Sequence, residues 1–487
     1  MEGPKATEKT GQRVNGSEKA SGTRKPGRPL IHVMLGPPRY IPSYHIPAED
    51  LWREALAIFF LAAVVVIIAF NGQQRMPDWL VSDGTYYDVW FDGDCPRVVQ
   101  QAVNRLSDPR DRTIMHPLYS LMAFPLTGLL SAALVIKPLT ALRLAISLAA
   151  GLWTGLLFLL FRLIGCRRFD AVLFTVLGAV SASAMFWFSV PESWVFSSVT
   201  VLVPLLLLVV AERRTIPVRW YILMSAATLS MTLSNWMLGL FIAFEKFNWR
   251  RALWISLSAF GAVAMLCGVS ALVFPTYKIA FPEYAHEYIF QQESGGPLHV
   301  LISFFLHTLV MPMFQIVSGW DHPGVLRMTT QVMPAGSATL WGGVAVALWV
   351  ALLGFGFLSA WAIKRHPALL RMMVAWLLWQ ISLHLIYGGQ ETFLYSLHWL
   401  PCLLAFAAYG SLTRLRRPVL VVTAALILCA GINNRWQFNN AVAFVQHREL
   451  VHGDFSSILP APTKPATPAP HAAVTRRAPR AKSRPAR

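Results

Sequence analysis

The chain has 487 residues, of which 55% are hydrophobic and 14% are charged, and its mean hydropathy is +0.49. A soluble domain of this length does not need so many apolar side chains, so the composition excludes an ordinary soluble globular protein. The net charge of +18 does not indicate a nucleic-acid partner, because the basic residues concentrate in two tails and in short stretches between apolar runs. The five cysteines are scattered and lack the spacing of zinc or redox sites.

The apolar runs are continuous rather than alternating, and a helix needs about 20 such residues to cross the hydrocarbon of a bilayer. We therefore predict an all-α polytopic membrane protein with about eleven transmembrane helices and additional extracytoplasmic juxtamembrane helices. Residues 1–50 are expected to form a disordered basic cytoplasmic tail and lead-in, and 51–435 the transmembrane domain. Residues 436–487 form a C-terminal segment that ends in a Pro/Ala/Arg-rich tail, which we also expect to be disordered.

Basic clusters between the apolar runs set the predicted orientation, because cytoplasmic loops are enriched in Lys and Arg. The run at 52–70 then crosses outward, and 71–114 becomes a first extracytoplasmic loop. Arg162, Arg167 and Arg168 are cytoplasmic only if the run at 115–136 dips into the outer leaflet without crossing. The same reasoning makes 275–339 a second large extracytoplasmic region, with 301–317 beside the membrane. The later predicted crossings are 138–164, 171–190, 194–211, a tight pair split near Asn235, 252–274, 340–363, 369–387, 397–412 and 419–432.

The first extracytoplasmic loop contains the acidic sequence Phe91-Asp92-Gly93-Asp94-Cys95-Pro96-Arg97. Carboxylates at Asp92 and Asp94 can hold a divalent ion, act as a general base, or cap the helix that Pro96 begins. Gly93 permits a sharp bend that a purely structural helix start does not require. The sequence leaves both a catalytic or binding role and a capping role open for Asp94.

Other polar residues are predicted to face the same compartment. His116 opens an apolar segment, where a histidine can contact an anionic head group or cap a turn. Arg105 can bind a phosphate or pair with the loop acids. Glu192 lies at an outer helix start, a position that the helix dipole also favours for an acid. Glu391 and His398 lie near a span entrance, where an ionisable group is costly unless paired, although the neighbouring aromatic residues also fit an interfacial belt.

Several classes of site have no signature in the sequence. The histidines of the second extracytoplasmic region show no metal-ligand spacing, so no metal site is predicted and a divalent cation is only left open. There is no phosphate-binding Walker loop and no dinucleotide fingerprint. We therefore do not predict nucleotide-driven transport, and we name no cofactor.

The arrangement of these motifs resembles the GT-C class of integral-membrane glycosyltransferases, in particular its protein-mannosyltransferase-like branch. The acidic motif after the first span, His116-Pro117-Leu118, Ser189-Val190-Pro191-Glu192-Ser193 and the polar segment 387–398 carry the resemblance. It covers about residues 50–435 in layout. The chain departs from the pattern at Glu192, where Asp is common, and around Ser234-Asn235-Trp236, where a basic residue is usual.

The resemblance implies an enzyme that transfers a hexosyl or pentosyl group from a polyprenyl-phosphate-linked donor to a lipid, glycan or protein acceptor outside the cytoplasm. Asp94 would activate the acceptor nucleophile, with Glu192 as a second acid. The expected substrate-binding residues are Asp92, Arg97, Arg105, His116, Glu391 and His398. Cations and carboxylates must converge in such a site, because positive charge develops on the sugar and negative charge on the leaving phosphate. The implied location is the bacterial inner membrane, with the active site on its extracytoplasmic side.

The main alternative is a membrane transporter or lipid flippase that uses the same polar outer cavity. Such a protein is expected to carry charges within its spans, and the spans here are nearly free of them apart from Arg143. A noncatalytic assembly scaffold is a third hypothesis.

Overall fold

The computed structural model describes residues 50–107, 115–278, 289, 295–318, 324–387, 391–447 and 451. Apart from Asp50, the N-terminal tail lies outside these residues, as does the Pro/Ala/Arg-rich C-terminal tail. The helices are α1 (Leu51–Arg75), α2 (Asp78–Ser82), α3 (Cys95–Val103), α4 (Tyr119–Leu134), α5 (Pro138–Ile164), α6 (Arg168–Val180), α7 (Ala182–Trp187), α8 (Trp194–Ala211), α9 (Val218–Met231), α10 (Trp236–Lys246), α11 (Trp249–Val273), α12 (Pro297–Ile302), α13 (Leu340–Ile363), α14 (Pro367–Ile386), α15 (Leu400–Tyr409) and α16 (Arg416–Gln446). The strands are β1 (Gln315–Ser318) and β2 (Leu326–Thr329).

The chain is an all-α polytopic membrane protein. Among the described residues, seven helices are long and apolar enough to cross a membrane, namely α1, α5, α8, α11, α13, α14 and α16. The segments Thr392–His398 and Leu400–Leu412 add an eighth span if they count as one crossing that is bent by 60°. The predicted count of about eleven crossings is not confirmed.

The difference in count arises where apolar sequence forms short helices. The predicted crossing at 171–190 breaks at Ser181, whose hydroxyl accepts a hydrogen bond from the backbone N–H of Ala184 at 3.2 Å. The next residue, Ala182, donates its backbone N–H to Leu309 at 3.0 Å. The helices on either side of Asn235, α9 and α10, have 14 and 11 residues. At about 1.5 Å per residue, both are shorter than the roughly 30 Å hydrocarbon core.

Charged residues separate to opposite ends of the helical bundle. At one end, Arg162 and Arg168 each contact Glu54 at 2.9 Å, and Arg416 contacts Asp170 at 2.5 Å. We call this the basic end, and it joins the start of α1, the end of α5 and the starts of α6 and α16. The other end, which we call the acidic end, carries Asp92, Asp94, Glu192 and Glu391.

Helix α4 has both of its ends at the acidic end. Near the start of α5, Arg143 donates to the carbonyl of Met76 at 2.8 Å and contacts Asp78 at 3.0 Å, just beyond α1. Since α5 then runs to the basic end, its first residue and the preceding α4 lie at the acidic end. Helix α4 has 16 residues and contains Pro125. The dip of 115–136 into the outer leaflet stays a prediction.

The described part of the region that was predicted to be the second extracytoplasmic one packs against the first loop and against α16. Strands β1 and β2 pair antiparallel, and the Met328 backbone N–H donates to Val89 in the first loop at 3.1 Å. The backbone of Met311 exchanges hydrogen bonds with the side chains of Asn433 and Asn434, both at 2.8 Å. Helix α16 continues to Gln446, so the boundary predicted at 435 falls inside it.

Candidate functional site

The first loop reaches the site through a tight, strained turn. Asp88, Phe91 and Asp92 have φ values of 66°, 51° and 60°, a left-handed conformation that non-glycine residues rarely adopt. The Asp92 N–H closes the turn onto the Asp88 carbonyl at 3.1 Å. Trp90 and Phe91 are fully buried in an aromatic cluster, and this burial offsets the strain. The cluster also contains Phe186, Phe314, Phe393 and Phe438.

Gly93 allows a close approach between this turn and Glu192. A Cβ at Gly93 would lie 2.9 Å from the Trp90 carbonyl oxygen and 3.4 Å from Oε1 of Glu192. The left-handed residues are its neighbours, whereas Gly93 itself does not have a positive φ. The bend expected at Gly93 therefore occurs just before it, and the glycine is needed for space.

Asp94 precedes α3 and forms an ion pair with Arg97 in the first turn of that helix. The Asp94 side chain makes no capping hydrogen bond to α3, although it occupies the N-cap position. It is 29% exposed, while Arg97 is 13% exposed. The capping role that the sequence left open thus has no hydrogen bond to support it, and Asp94 instead presents a carboxylate beside a guanidinium.

Glu192 is fully buried at the start of α8. Its Oε2 accepts the Ser193 backbone N–H at 3.0 Å, and the backbone N–H of Asp94 also approaches the carboxylate. Burial and, to a smaller extent, the charge of Asp94 together raise the pKa of Glu192 to about 8, against the opposing charge of Arg97. Glu192 consequently holds a proton near neutral pH, beside an acid that is open to solvent.

Asp92 and Glu391 form a second group of acids under the β-hairpin. Arg327 on β2 binds Asp92, and Glu391 accepts hydrogen bonds from the hydroxyls of Thr329 at 2.8 Å and Thr330 at 2.6 Å. Burial raises the pKa of Asp92 to about 6 against the attraction of Arg327. Burial also raises the pKa of Glu391 to about 7, with hydrogen bonds from Thr330 opposing the rise and the charge of Asp92 adding to it.

His116 lies beside Arg97 but is bonded to the backbone. Its Nδ1 is 2.8 Å from the Met231 carbonyl oxygen, so this nitrogen carries the proton in the tautomer that the contact requires. Burial lowers the pKa of His116 to about 4, and the charge of Arg97 acts in the same direction. His116 is therefore neutral near pH 7, and its contact with a donor phosphate stays a prediction.

His398 and His116 both lie against the ring of Trp194. The Trp194 ring makes edge contacts with both histidines, at centroid distances of 5.5 Å to His116 and 5.3 Å to His398. The His398 carbonyl accepts the Trp376 indole N–H at 3.0 Å, which fixes the backbone there. In the described part of the chain, Nε2 of His398 is buried without a hydrogen-bond partner.

Arg105 stands apart from this group. It is exposed, and its Nε donates to the carbonyl of Val273 at the end of α11, at 2.7 Å. A cation at a helix C-terminus stabilises the unpaired carbonyls there. Its predicted role in phosphate binding has no contact to support it and stays a prediction.

The structure thus brings most of the predicted residues into two adjoining groups. Asp94, Glu192, Arg97 and His116 form one group, and Asp92 and Glu391 form the other; electrostatic coupling of Asp94 to both Glu192 and Asp92 links them. His398 joins through Trp194. The sequence did not identify Arg327, Thr329 and Thr330 as partners, because Arg327 and Asp92 are 235 positions apart and no local spacing relates them.

Among the described residues, no group of three or more His, Cys, Asp or Glu is arranged to hold a metal ion. The chain matches no protein-family model, and it has no match among the curated proteins. The functional argument therefore depends on the site alone.

Proposed function

We propose that the chain is a glycosyltransferase that moves a sugar from a polyprenyl-phosphate-linked donor to an acceptor at the acidic end of the bundle. The observation that carries the proposal is the partly exposed Asp94–Arg97 pair beside the buried Glu192. Two carboxyl groups in unlike environments are typical of sites that separate the roles of acid and base. A lipid-borne donor fits a site at the end of apolar helices.

In the proposed reaction, the Asp94 carboxylate takes the proton of an acceptor hydroxyl. The acceptor oxygen forms a bond with the anomeric carbon, the bond from that carbon to the phosphate oxygen breaks, and polyprenyl phosphate leaves with the electron pair. Arg97 stabilises the negative charge on the phosphate. Glu192 is protonated in this proposal, so it can donate a hydrogen bond toward the phosphate. Being neutral, it does not add a second negative charge to that of the phosphate.

We further propose that the acidic end faces the extracytoplasmic side of a bacterial inner membrane. The basic end carries the Lys and Arg clusters that the positive-inside rule assigns to the cytoplasm. The sugar would be a hexose or a pentose, and the acceptor a lipid, a glycan or a protein of the cell envelope.

The test is transfer by the purified protein from a panel of radiolabelled polyprenyl-phosphate hexoses and pentoses, with envelope extract as the acceptor. We expect Asp94→Asn to lower the release of polyprenyl phosphate by at least about 100-fold, because general-base catalysis contributes that much. Asp83→Asn is the matched control, since Asp83 lies in the same loop and accepts a turn hydrogen bond from Thr85 that an Asn side-chain oxygen can also accept.

Full turnover by a normally folded Asp94→Asn variant would remove Asp94 from the mechanism. If reconstituted protein moved lipid or solute across vesicles and released no polyprenyl phosphate, the transporter or flippase hypothesis would replace this one.

A further inference from the structure

A polar groove of about 490 Å³ lies at the basic end, remote from the acids of the candidate site. The end of α8, the end of α10, the turn before α14 and the first turn of α14 form its walls. The charged residues that line it, apart from His366, are Glu212, Arg213, Glu245, Lys246, Arg365 and Arg371. Even with His366 counted as neutral, the four cations outnumber the two carboxylates.

Both carboxylates already serve the protein itself. Glu212 accepts the backbone N–H of Ala368 at 2.8 Å and contacts Nδ1 of His366 at 2.5 Å, and it thereby caps α14. Although burial raises the pKa of Glu212, these hydrogen bonds lower it below its usual value. Glu245 binds Arg371 at 2.5 Å. The groove therefore keeps a net positive charge after these two carboxylates are counted.

The turn that carries Arg365 is held in an unfavourable conformation. Lys364 and His366, on either side of it, have φ values of 50° and 55°. Strain of this kind persists where the surroundings fix it, and it concentrates at ligand sites. The Tyr409 hydroxyl donates to the Arg365 carbonyl at 2.9 Å, and a Cβ at Gly165 would lie 2.7 Å from the Arg365 guanidinium carbon. The Arg365 guanidinium is held partly out of water, and this burial lowers its pKa to about 10.

Aromatic side chains place the groove at the depth of lipid head groups. Trp220 and Trp249 lie in the first turns of α9 and α11 at the same end of the bundle, and they are 50% and 63% exposed. Tryptophans with this placement are typical of the membrane interface. Phe244, near the end of α10, is also exposed. A ligand of this groove therefore has its charge at the interface and its apolar part in the bilayer.

We propose that the groove binds the phosphate group of an anionic phospholipid in the leaflet at the basic end, which the positive-inside rule assigns to the cytoplasm. Basic pockets between transmembrane helices on this side suit phosphate-bearing head groups. The ammonium of Lys246 supplies charge-assisted hydrogen bonds, and the guanidinium of Arg365 adds positive charge beside it. The proposal is independent of the chemistry at the acidic end.

The test is a native mass spectrometry titration of the full-length protein in detergent with phosphatidylglycerol and with phosphatidylcholine. We expect preferential binding of phosphatidylglycerol, and we expect Lys246→Gln with Arg371→Gln to weaken it about thirtyfold through the loss of two charges near the surface. Arg250→Gln with Arg251→Gln is the matched control, because both arginines are exposed at the start of α11 and neither lines the groove. Thermal unfolding of each variant confirms that it is folded.

Equal binding of the two lipids would show that the groove does not select an anionic head group, and an equal loss in the two double variants would reduce the effect to surface charge. Either result would overturn the proposal. Inorganic phosphate is added as a competitor in the same titration. If it displaced the lipid at millimolar concentration, the ligand would be a soluble phosphate rather than a lipid. We expect no displacement, because a free phosphate lacks the chains that bury in the bilayer.

Discussion

At the scale of single residues, Asp94 and Glu192 show how two acids beside the same arginine acquire different properties. Asp94 is partly exposed and ion-paired, whereas Glu192 is fully buried at a helix start. Burial disfavours the charged form of Glu192, and the neighbouring negative charge disfavours it further. The unequal environments, rather than the residue types, make Asp94 the proposed base and keep Glu192 protonated.

The pH dependence of stability tests the protonation of Glu192. Its pKa is raised from 4.5 to about 8 in the folded protein, so folding favours the protonated form, and stability falls as the pH rises through about 8. Glu192→Gln, which is neutral at every pH, is expected to lose less thermal stability than the native protein between about pH 5 and about pH 9. Parallel melting temperatures for the two proteins across this range would show that Glu192 ionises normally.

The ion pair of Arg327 and Asp92 gives a second prediction at this scale. The two side chains are 7% and 11% exposed, so Arg327→Leu leaves a buried, unpaired carboxyl. Breaking such a pair costs about 3–5 kcal/mol, whereas Asp92→Asn combined with Arg327→Leu should restore part of the loss. Arg53→Leu breaks an exposed pair with Asp50 and should cost less than about 1 kcal/mol. Equal melting temperatures for Arg327→Leu and Arg53→Leu would contradict the buried pairing.

At the scale of elements, the close contact between α13 and α15 depends on a glycine, Gly356, which has no side chain. A Cβ at Gly356 would lie 2.3 Å from the Phe406 carbonyl oxygen, whereas a Cβ at Gly354, on the same helix, meets nothing within 4 Å. Small residues allow membrane helices to approach closely, and their packing replaces a hydrophobic driving force that lipid does not provide.

Alanine substitutions at these two glycines separate packing from helix propensity. Gly356→Ala is expected to lower the melting temperature by several degrees, because the helices must move apart. Gly354→Ala gains the same propensity without the clash and should be neutral or slightly stabilising. A melting temperature for Gly356→Ala as high as that of Gly354→Ala would contradict the close crossing.

The sequence predicted the long helices better than the broken ones. Continuous apolar runs are sufficient to indicate α1, α5 and α13, since hydropathy over about 20 residues is a local property. The break at Ser181 depends on backbone partners at Thr308 and Leu309, which are far away in the chain. The acidic motif and Glu192 are predictable for the same reason, because they are short polar stretches between apolar runs. The partners of Asp92 and Glu391 come from β2 and the residue after it, and no local pattern predicts them.

At the scale of the whole molecule, charge separates along the bundle axis. The orientation proposed from this separation is measurable because all five native cysteines are buried. Ser82→Cys at the acidic end and Thr215→Cys at the basic end are both at exposed positions. In intact cells, a membrane-impermeant maleimide should label Ser82→Cys, and it should label Thr215→Cys only after permeabilisation. The reverse pattern would place the acidic end in the cytoplasm.

The separated charges also couple the molecule to the electrical state of the membrane. A cell interior is negative, and turning the molecule over would move its excess basic charge to the positive side. Each elementary charge carried across the bilayer costs about 2.3 kcal/mol per 100 mV. The membrane voltage is therefore expected to favour the orientation with the basic end in the cytoplasm. In a depolarised membrane, the energy difference between the two orientations is expected to be smaller.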